Sequence, residues 1–200
     1  TQEELLLVEQ QEDLIRSYFW ASPDRIVYSQ DKGGDENYHL FGVNLDGSGN
    51  EELTPFDNVR VGVLATLKED EDHVIVQMNK DNPAQEEPYK LNIKTGAIEK
   101  LYTVKEGDNP VAGYDFDKDG NLRAISKIIN GVDMELFYNV DGEFKKIMEV
   151  HFGESFGIIR FDYSSDNPDA AYVISNLETD KTEIQPYDLK ANKVLETMYR

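Results

Sequence analysis

Short stretches along the chain carry apolar side chains at every second position. In the clearest one, Val74, Val76 and Met78 occupy alternate positions, and turn-forming residues follow at Asn79. Such alternation over five to eight residues, bounded by Gly, Asp and Asn, is typical of half-buried antiparallel strands. The pattern therefore predicts a chain made of many short strands.

Four of these stretches are similar to one another, and their last residues are 48, 49 and 49 positions apart. They are Arg25–Ser29, His73–Gln77, Leu122–Ser126 and Ala171–Ser175. An acidic turn precedes each one. A period of 40–50 residues built from short strands is typical of β-propeller blades. We therefore predict an all-β chain, a β-propeller of about four blades with four antiparallel strands each, forming a segment of a larger propeller.

The predicted blades cover approximately residues 14–56, 57–106, 107–152 and 153–200. Each has a turn between its third and fourth strands that contains Gly or Asn, the residues that tolerate positive φ. These turns are Asp46-Gly47, Thr95-Gly96, Asp141-Gly142 and Ala191-Asn192. Residues 1–13 are expected to be either the outer strand of a preceding blade or a short helix, because their composition favours helix whereas their register favours strand. The aromatic residues Tyr18, Phe19 and Trp20 are expected to pack between blades.

Charge and composition exclude several functions. The net charge of −20 would repel phosphate backbones, so nucleic-acid binding is not expected. No apolar run is long enough to span a membrane. The chain has no cysteine, which favours a reducing compartment such as the cytoplasm and leaves the periplasm open. Because the chain starts without Met or a signal-peptide pattern, we expect it to be a piece of a longer protein.

Residues 153–157 match the G-x-S-x-G pattern of serine hydrolases, with Ser155 at its centre. That chemistry requires a turn from strand into helix, followed along the chain by an acid and a histidine. The residues after Ser155 alternate like a strand. The three histidines all precede it: His39, His73 and His151. A loop between blades explains the glycines better than a nucleophile does.

A second pattern resembles the start of a calcium loop. Asp115, Asp117 and Asp119 occupy its positions 1, 3 and 5, and Gly120 occupies position 6. Position 12 is Ser126, where calcium loops have a bidentate Glu. A blade turn is the favoured alternative. We therefore assign no catalytic, cofactor-binding or metal-binding residue and expect no cofactor.

One longer stretch resembles a specific family. The segment 26–41, Ile-Val-Tyr-Ser-Gln-Asp-Lys-Gly-Gly-Asp-Glu-Asn-Tyr-His-Leu-Phe, resembles a blade signature of the prolyl oligopeptidase family (S9) of serine peptidases, although Gly33 replaces the usual Asp. The match continues at 53–56, at Val59-Arg60, at 79–81 and from Tyr89 to Gly96. The close resemblance covers about residues 14–107.

The resemblance implies a function. In that family an N-terminal propeller covers a C-terminal α/β-hydrolase domain that carries the catalytic triad and receives short peptides. We therefore expect this chain to be the non-catalytic propeller of a dipeptidyl- or acylaminoacyl-peptidase-like serine peptidase. Its expected partners are peptide substrates and a hydrolase domain of the same parent protein that this chain does not contain. An acidic channel would favour peptides with a free amino terminus. The alternative is a stand-alone propeller that acts as a protein- or ligand-binding scaffold.

Overall fold

The computed structural model describes residues 5–9, 13–177 and 179–195, and within these ranges all regular elements are β-strands. The strands form four four-stranded sheets in which every pairing is antiparallel. This confirms the predicted all-β class and the number of sheets. The described residues contain no helix long and apolar enough to cross a membrane.

Each sheet is a meander of four consecutive strands. The first contains β1 (Ile15–Ser22), β2 (Arg25–Gln30), β3 (His39–Asn44) and β4 (Glu51–Glu52). The second contains β5 (Val61–Thr66), β6 (His73–Met78), β7 (Glu87–Asn92) and β8 (Ile98–Lys100). The third contains β9 (Val111–Phe116), β10 (Leu122–Ile129), β11 (Asp133–Val140) and β12 (Glu143–Val150). The fourth contains β13 (Phe156–Phe161), β14 (Ala170–Ser175), β15 (Glu183–Asp188) and β16 (Lys193–Val194).

The first and second strands of every sheet pair with an irregular register, whereas the second and third strands pair without interruption. In the first sheet Ile15 is opposite Gln30. Ser17 is opposite Ser29, so Arg16 is the extra residue of a β-bulge. A bulge bends its strand and changes the direction of a side chain.

The predicted hairpin turns between third and fourth strands are confirmed. Gly47, Gly96, Gly142 and Asn192 have φ angles of 81°, 70°, 89° and 53°. Positive φ matches the right-handed twist of the flanking strands in tight hairpins, and Gly and Asn adopt it at low cost. These turns allow the third strand of each sheet to continue directly into the fourth.

The chain divides into two compact units, and the first contains both the first and the second sheet. Its core consists of buried side chains from the two sheets and the segments that connect their strands: Val27, Leu40, Leu53, Val59, Val61, Val74, Val76, Met78, Tyr89, Leu91 and Ile93. Arg25 also joins the two sheets, because its Nε donates to the carbonyl oxygen of Ile93 at 2.8 Å. The backbone N–H of Val61 donates to the carbonyl oxygen of Tyr38 at 2.9 Å.

The second unit contains the third and fourth sheets around a core of its own. This core is formed by Ala124, Leu136, Tyr138, Val150, Phe156, Phe161, Ala171, Val173, Tyr187 and Leu189. At its edge the hydroxyl of Tyr138 donates to Asp169 Oδ1 at 2.8 Å, and the Arg123 guanidinium donates to the same hydroxyl. Side chains far apart in sequence thus hold these two sheets together.

Residues 5–9 and 13 have neither strand nor helix structure, while the rest of the segment 1–13 lies outside the described residues. The aromatic prediction was right for Phe19, which packs against the core of the first unit, and wrong for its two neighbours. Tyr18 is 70% exposed and Trp20 is 58% exposed, because both lie on the solvent-exposed side of β1.

Candidate binding groove

A polar groove lies between the first and second sheets inside the first unit. Its volume is about 630 Å³, within the range that small-molecule sites usually occupy. Its walls come mainly from β1 and β5, the first strands of their sheets, with contributions from Ser29, Gln77 and the turns before β3 and β7. Two of the chain's six arginines, Arg16 and Arg60, line it.

Arg16 lies on the first wall, at the bulge of β1. Its guanidinium carbon is 4.6 Å from the centre of the Tyr38 ring, a distance at which a cation is attracted to an aromatic face. No carboxylate of the described residues lies within ion-pair distance of Arg16. The ring therefore orients the guanidinium and leaves its outer donors to solvent.

Arg60 lies on the opposite wall and is held by a carboxylate. Its Nε and Nη2 donate to Glu86 Oε1 at 2.7 and 2.5 Å, and its backbone N–H donates to Asn79 Oδ1 at 2.8 Å. Arg16, Arg60 and Glu86 are the charged residues that line the groove, so its lining has a formal charge of +1. This local sign is opposite to the charge of −20 on the whole chain.

The remaining lining combines hydroxyl and amide groups with apolar side chains. Ser17, Ser29 and Gln77 are the neutral polar residues. Tyr18 and Val63 expose 70% and 40% of their surface. A groove with a few polar groups among apolar ones can orient an extended ligand and still provide contact area.

No protein-family model matches the chain. Over 141 residues, or 69% of the chain, it is 31% identical to dipeptidyl aminopeptidase BIII of Pseudoxanthomonas mexicana. It also resembles a solved structure from a structural and mechanistic analysis of two prolyl endopeptidases, with a TM-score of 0.55 at 12% identity, over 86% of this chain and 24% of that one. The chain is a β-propeller segment of the prolyl oligopeptidase family.

A third comparison supports the same fold. TolB from Acinetobacter baumannii has a TM-score of 0.54 at 16% identity, over 88% of this chain and 42% of TolB. At such identities the two structural likenesses concern the fold alone. The match to dipeptidyl aminopeptidase BIII spans 20% of that protein's length.

The G-x-S-x-G pattern of this propeller segment lies at the start of β13. Ser155 follows a turn and leads directly into the strand at Phe156, whereas a nucleophile elbow leads into a helix. Its backbone N–H donates to Asn176 Oδ1 at 2.7 Å. Its hydroxyl oxygen is buried and has no hydrogen-bond partner in the structure, so no base is in place to activate it.

The calcium-like pattern forms the turn between β9 and β10. Asp117 Oδ1 accepts a hydrogen bond from the backbone N–H of Asn121 at 2.9 Å, and both carboxylate oxygens accept from the Asn121 amide. Burial raises the pKa of Asp115 to about 6. Among the residues that the structure describes, no three His, Cys, Asp or Glu side chains are grouped to hold a metal ion.

The histidines lie apart, each beside an acidic residue. His39 Nδ1 is 2.5 Å from Glu52 Oε1, and His73 Nδ1 is 2.8 Å from Asp70 Oδ1. His151 lies in the same unit as Ser155, but its Nδ1 faces Asp133 Oδ1 at 3.8 Å and makes no hydrogen bond to the Ser155 hydroxyl, so these residues form no triad.

The groove was not predicted from the sequence. Arg16, Arg60 and Glu86 are separated by 44 and 26 residues, and no motif connects them. Arg60 is part of the family resemblance at Val59-Arg60, which gives it no role.

Proposed function

We propose that this chain is the non-catalytic propeller portion of a serine peptidase that acts on short peptides. The propeller controls which peptides reach a separate α/β-hydrolase domain of the same parent protein. The parent is a peptidase of the dipeptidyl- or acylaminoacyl-peptidase type. We also propose that the protein is located in the cytoplasm, because a chain without cysteine fits a reducing compartment.

The observation that carries this proposal is the 31% identity to dipeptidyl aminopeptidase BIII over 69% of the chain. The groove is a second support. In β-propellers the blades surround a central channel, and the first strand of each blade is the innermost. The groove is built on β1 and β5, two such first strands, which supports the proposal that a passing peptide contacts it.

The test uses the complete parent protein and a substitution that narrows the groove. Val63 is 40% exposed and lines the groove, so Val63→Trp adds bulk there. We expect kcat/KM for peptides of eight or more residues to fall several-fold, with little change for a chromogenic dipeptide. The matched control is Ile159→Trp, at a 48% exposed position of β13 outside the groove.

Equal effects of Val63→Trp on short and long substrates would argue against gating. A parent gene without a hydrolase domain would favour the alternative, a stand-alone binding propeller. In that case the same groove would bind a ligand without passing it on to a catalytic domain.

A further inference from the structure

The Arg16 guanidinium is the most available cation of the groove. Arg60 already shares its donors with Glu86, at 2.5 and 2.7 Å. Arg16 instead contacts the Tyr38 ring, and within the described ranges it has no carboxylate partner. A ring contact restrains the plane of a guanidinium without using its N–H donors, so these remain free for a ligand.

The backbone explains why this side chain enters the groove. Arg16 is the extra residue between the pairs that Ile15 and Ser17 make with β2. In a regular strand its direction would be fixed by the alternation of its neighbours. The bulge removes that constraint, and bulges are common where a strand aims one side chain at a site.

The chemistry of the groove selects an anionic group on a short extended ligand. A guanidinium binds a carboxylate through two parallel N–H···O bonds, which is a strong and directional interaction. The neutral polar side chains beside it, such as Gln77, can bond to peptide groups, and the outer edges of β1 and β5 have no ladder partner in the described sheets. The charge of −20 on the whole chain acts against binding of an anion, so any preference for an acid over its amide must come from the local guanidinium.

We propose that the groove binds the terminal carboxylate of short peptides, with Arg16 as the residue that recognises it. This inference rests on the proposed function, because it requires that peptides reach the propeller. The net charge led us to expect a preference for peptides with a free amino terminus. The groove instead recognises the carboxyl end of the peptide. Arg60, fixed by Glu86, supports the opposite wall and makes no contact of its own with the carboxylate.

The experiment measures binding to the intact chain by NMR titration of its amide resonances. The probes are N-acetyl-tetraalanine, its C-terminal amide, and an amide that carries one internal Glu. We expect the free acid to bind roughly 10- to 100-fold more tightly than the amide, the range for one charged hydrogen-bonded pair. Arg16→Gln should remove this ratio, and Arg16→Lys should keep only part of it, since an ammonium lacks the planar fork.

The control is Arg160→Gln. Arg160 is also an exposed arginine on the first strand of its sheet, and its guanidinium carbon is 4.9 Å from the centre of the Tyr172 ring. It lies outside the groove, so this variant should keep the wild-type ratio. Arg16 is exposed, so circular dichroism melts of Arg16→Gln should match those of the unsubstituted chain.

Equal affinity for acid and amide, a ratio that persists in Arg16→Gln, or no binding of the acid at millimolar concentration would each overturn the proposal. Equal binding of the free acid and the Glu-containing amide would overturn the assignment to the terminal carboxylate. Gating is judged separately, from the length dependence of kcat/KM in the parent protein. A failure here would leave that result unchanged.

Discussion

Arg25 is expected to be the polar side chain on which the first unit depends most. Its side chain is 6% exposed. Its three groups donate at 2.8 Å to the carbonyl oxygen of Ile93, at 2.7 Å to Asn44 Oδ1 and at 2.8 Å to Glu51 Oε1. Ile93 directly follows β7 of the second sheet and is fully buried, so one of these bonds ties the first sheet to the end of β7 across 68 residues of sequence.

The perturbation is Arg25→Met, which keeps the apolar stem and removes the charged donors. A buried carbonyl that loses its donor costs about 1–3 kcal/mol, and here it is the carbonyl of Ile93. The lost pair with Glu51 adds about 0–1 kcal/mol, because that carboxylate is 52% exposed and becomes hydrated. We expect the free energy of unfolding to fall by about 1–4 kcal/mol.

The assay is urea denaturation at pH 7, followed by circular dichroism. Arg60→Met is the matched control, since it also removes an arginine from an ion pair between neighbouring parts of the same unit. Its side chain is 60% exposed, so it should cost at most about 1 kcal/mol. Equal losses in the two variants would refute the reasoning.

A second substitution isolates the geometry. A Cβ placed on Gly42 would lie 2.4 Å from Arg25 Nη2, so Gly42→Ala must displace the guanidinium from its partners. We expect Gly42→Ala to destabilise the unsubstituted chain and to have little further effect in Arg25→Met. Strictly additive losses would mean that Gly42 does not act through Arg25.

Three further outcomes are expected. Because burial raises the Asp115 pKa from its usual 3.8 to about 6, the protonated form stabilises the fold below pH 4 and this contribution is lost as the pH rises through 6. The free energy of unfolding of Asp115→Asn should therefore be about 3 kcal/mol higher than that of the unsubstituted chain at pH 7 and equal to it near pH 4. Urea denaturation at the two pH values measures this difference. Ser155→Ala should leave the parent's peptidase activity unchanged and should not lower the melting temperature, because the buried hydroxyl has no partner; a large loss of either would contradict this. Tyr138→Phe should lose about 1–3 kcal/mol in urea titrations, since the fully buried phenol donates to Asp169, and a neutral result would show that the bond adds no stability.

The family could be recognised from the sequence alone, because the resemblance depends on contiguous residues. The segment 26–41 could be compared as a string, and the relationship to dipeptidyl aminopeptidase BIII confirms it. The role of the segment could not be obtained in this way. Within it, the role of Tyr38 is visible only in the structure, where its ring contacts the guanidinium of Arg16 at the bulge of β1.

The sequence by itself determined the strands, their grouping by four and the hairpin turns, because these depend on local alternation and on residues such as Gly142 and Asn192 that accept positive φ. Only the tertiary structure decided which side chains meet. Period-two alternation assigns a residue to one face of a strand but does not identify the sheet that the face contacts. The groove lined by Arg16, Arg60 and Glu86 therefore could not be predicted from any local pattern. Arg25 is a polar residue at the start of a strand, and its burial between two sheets could not be predicted either.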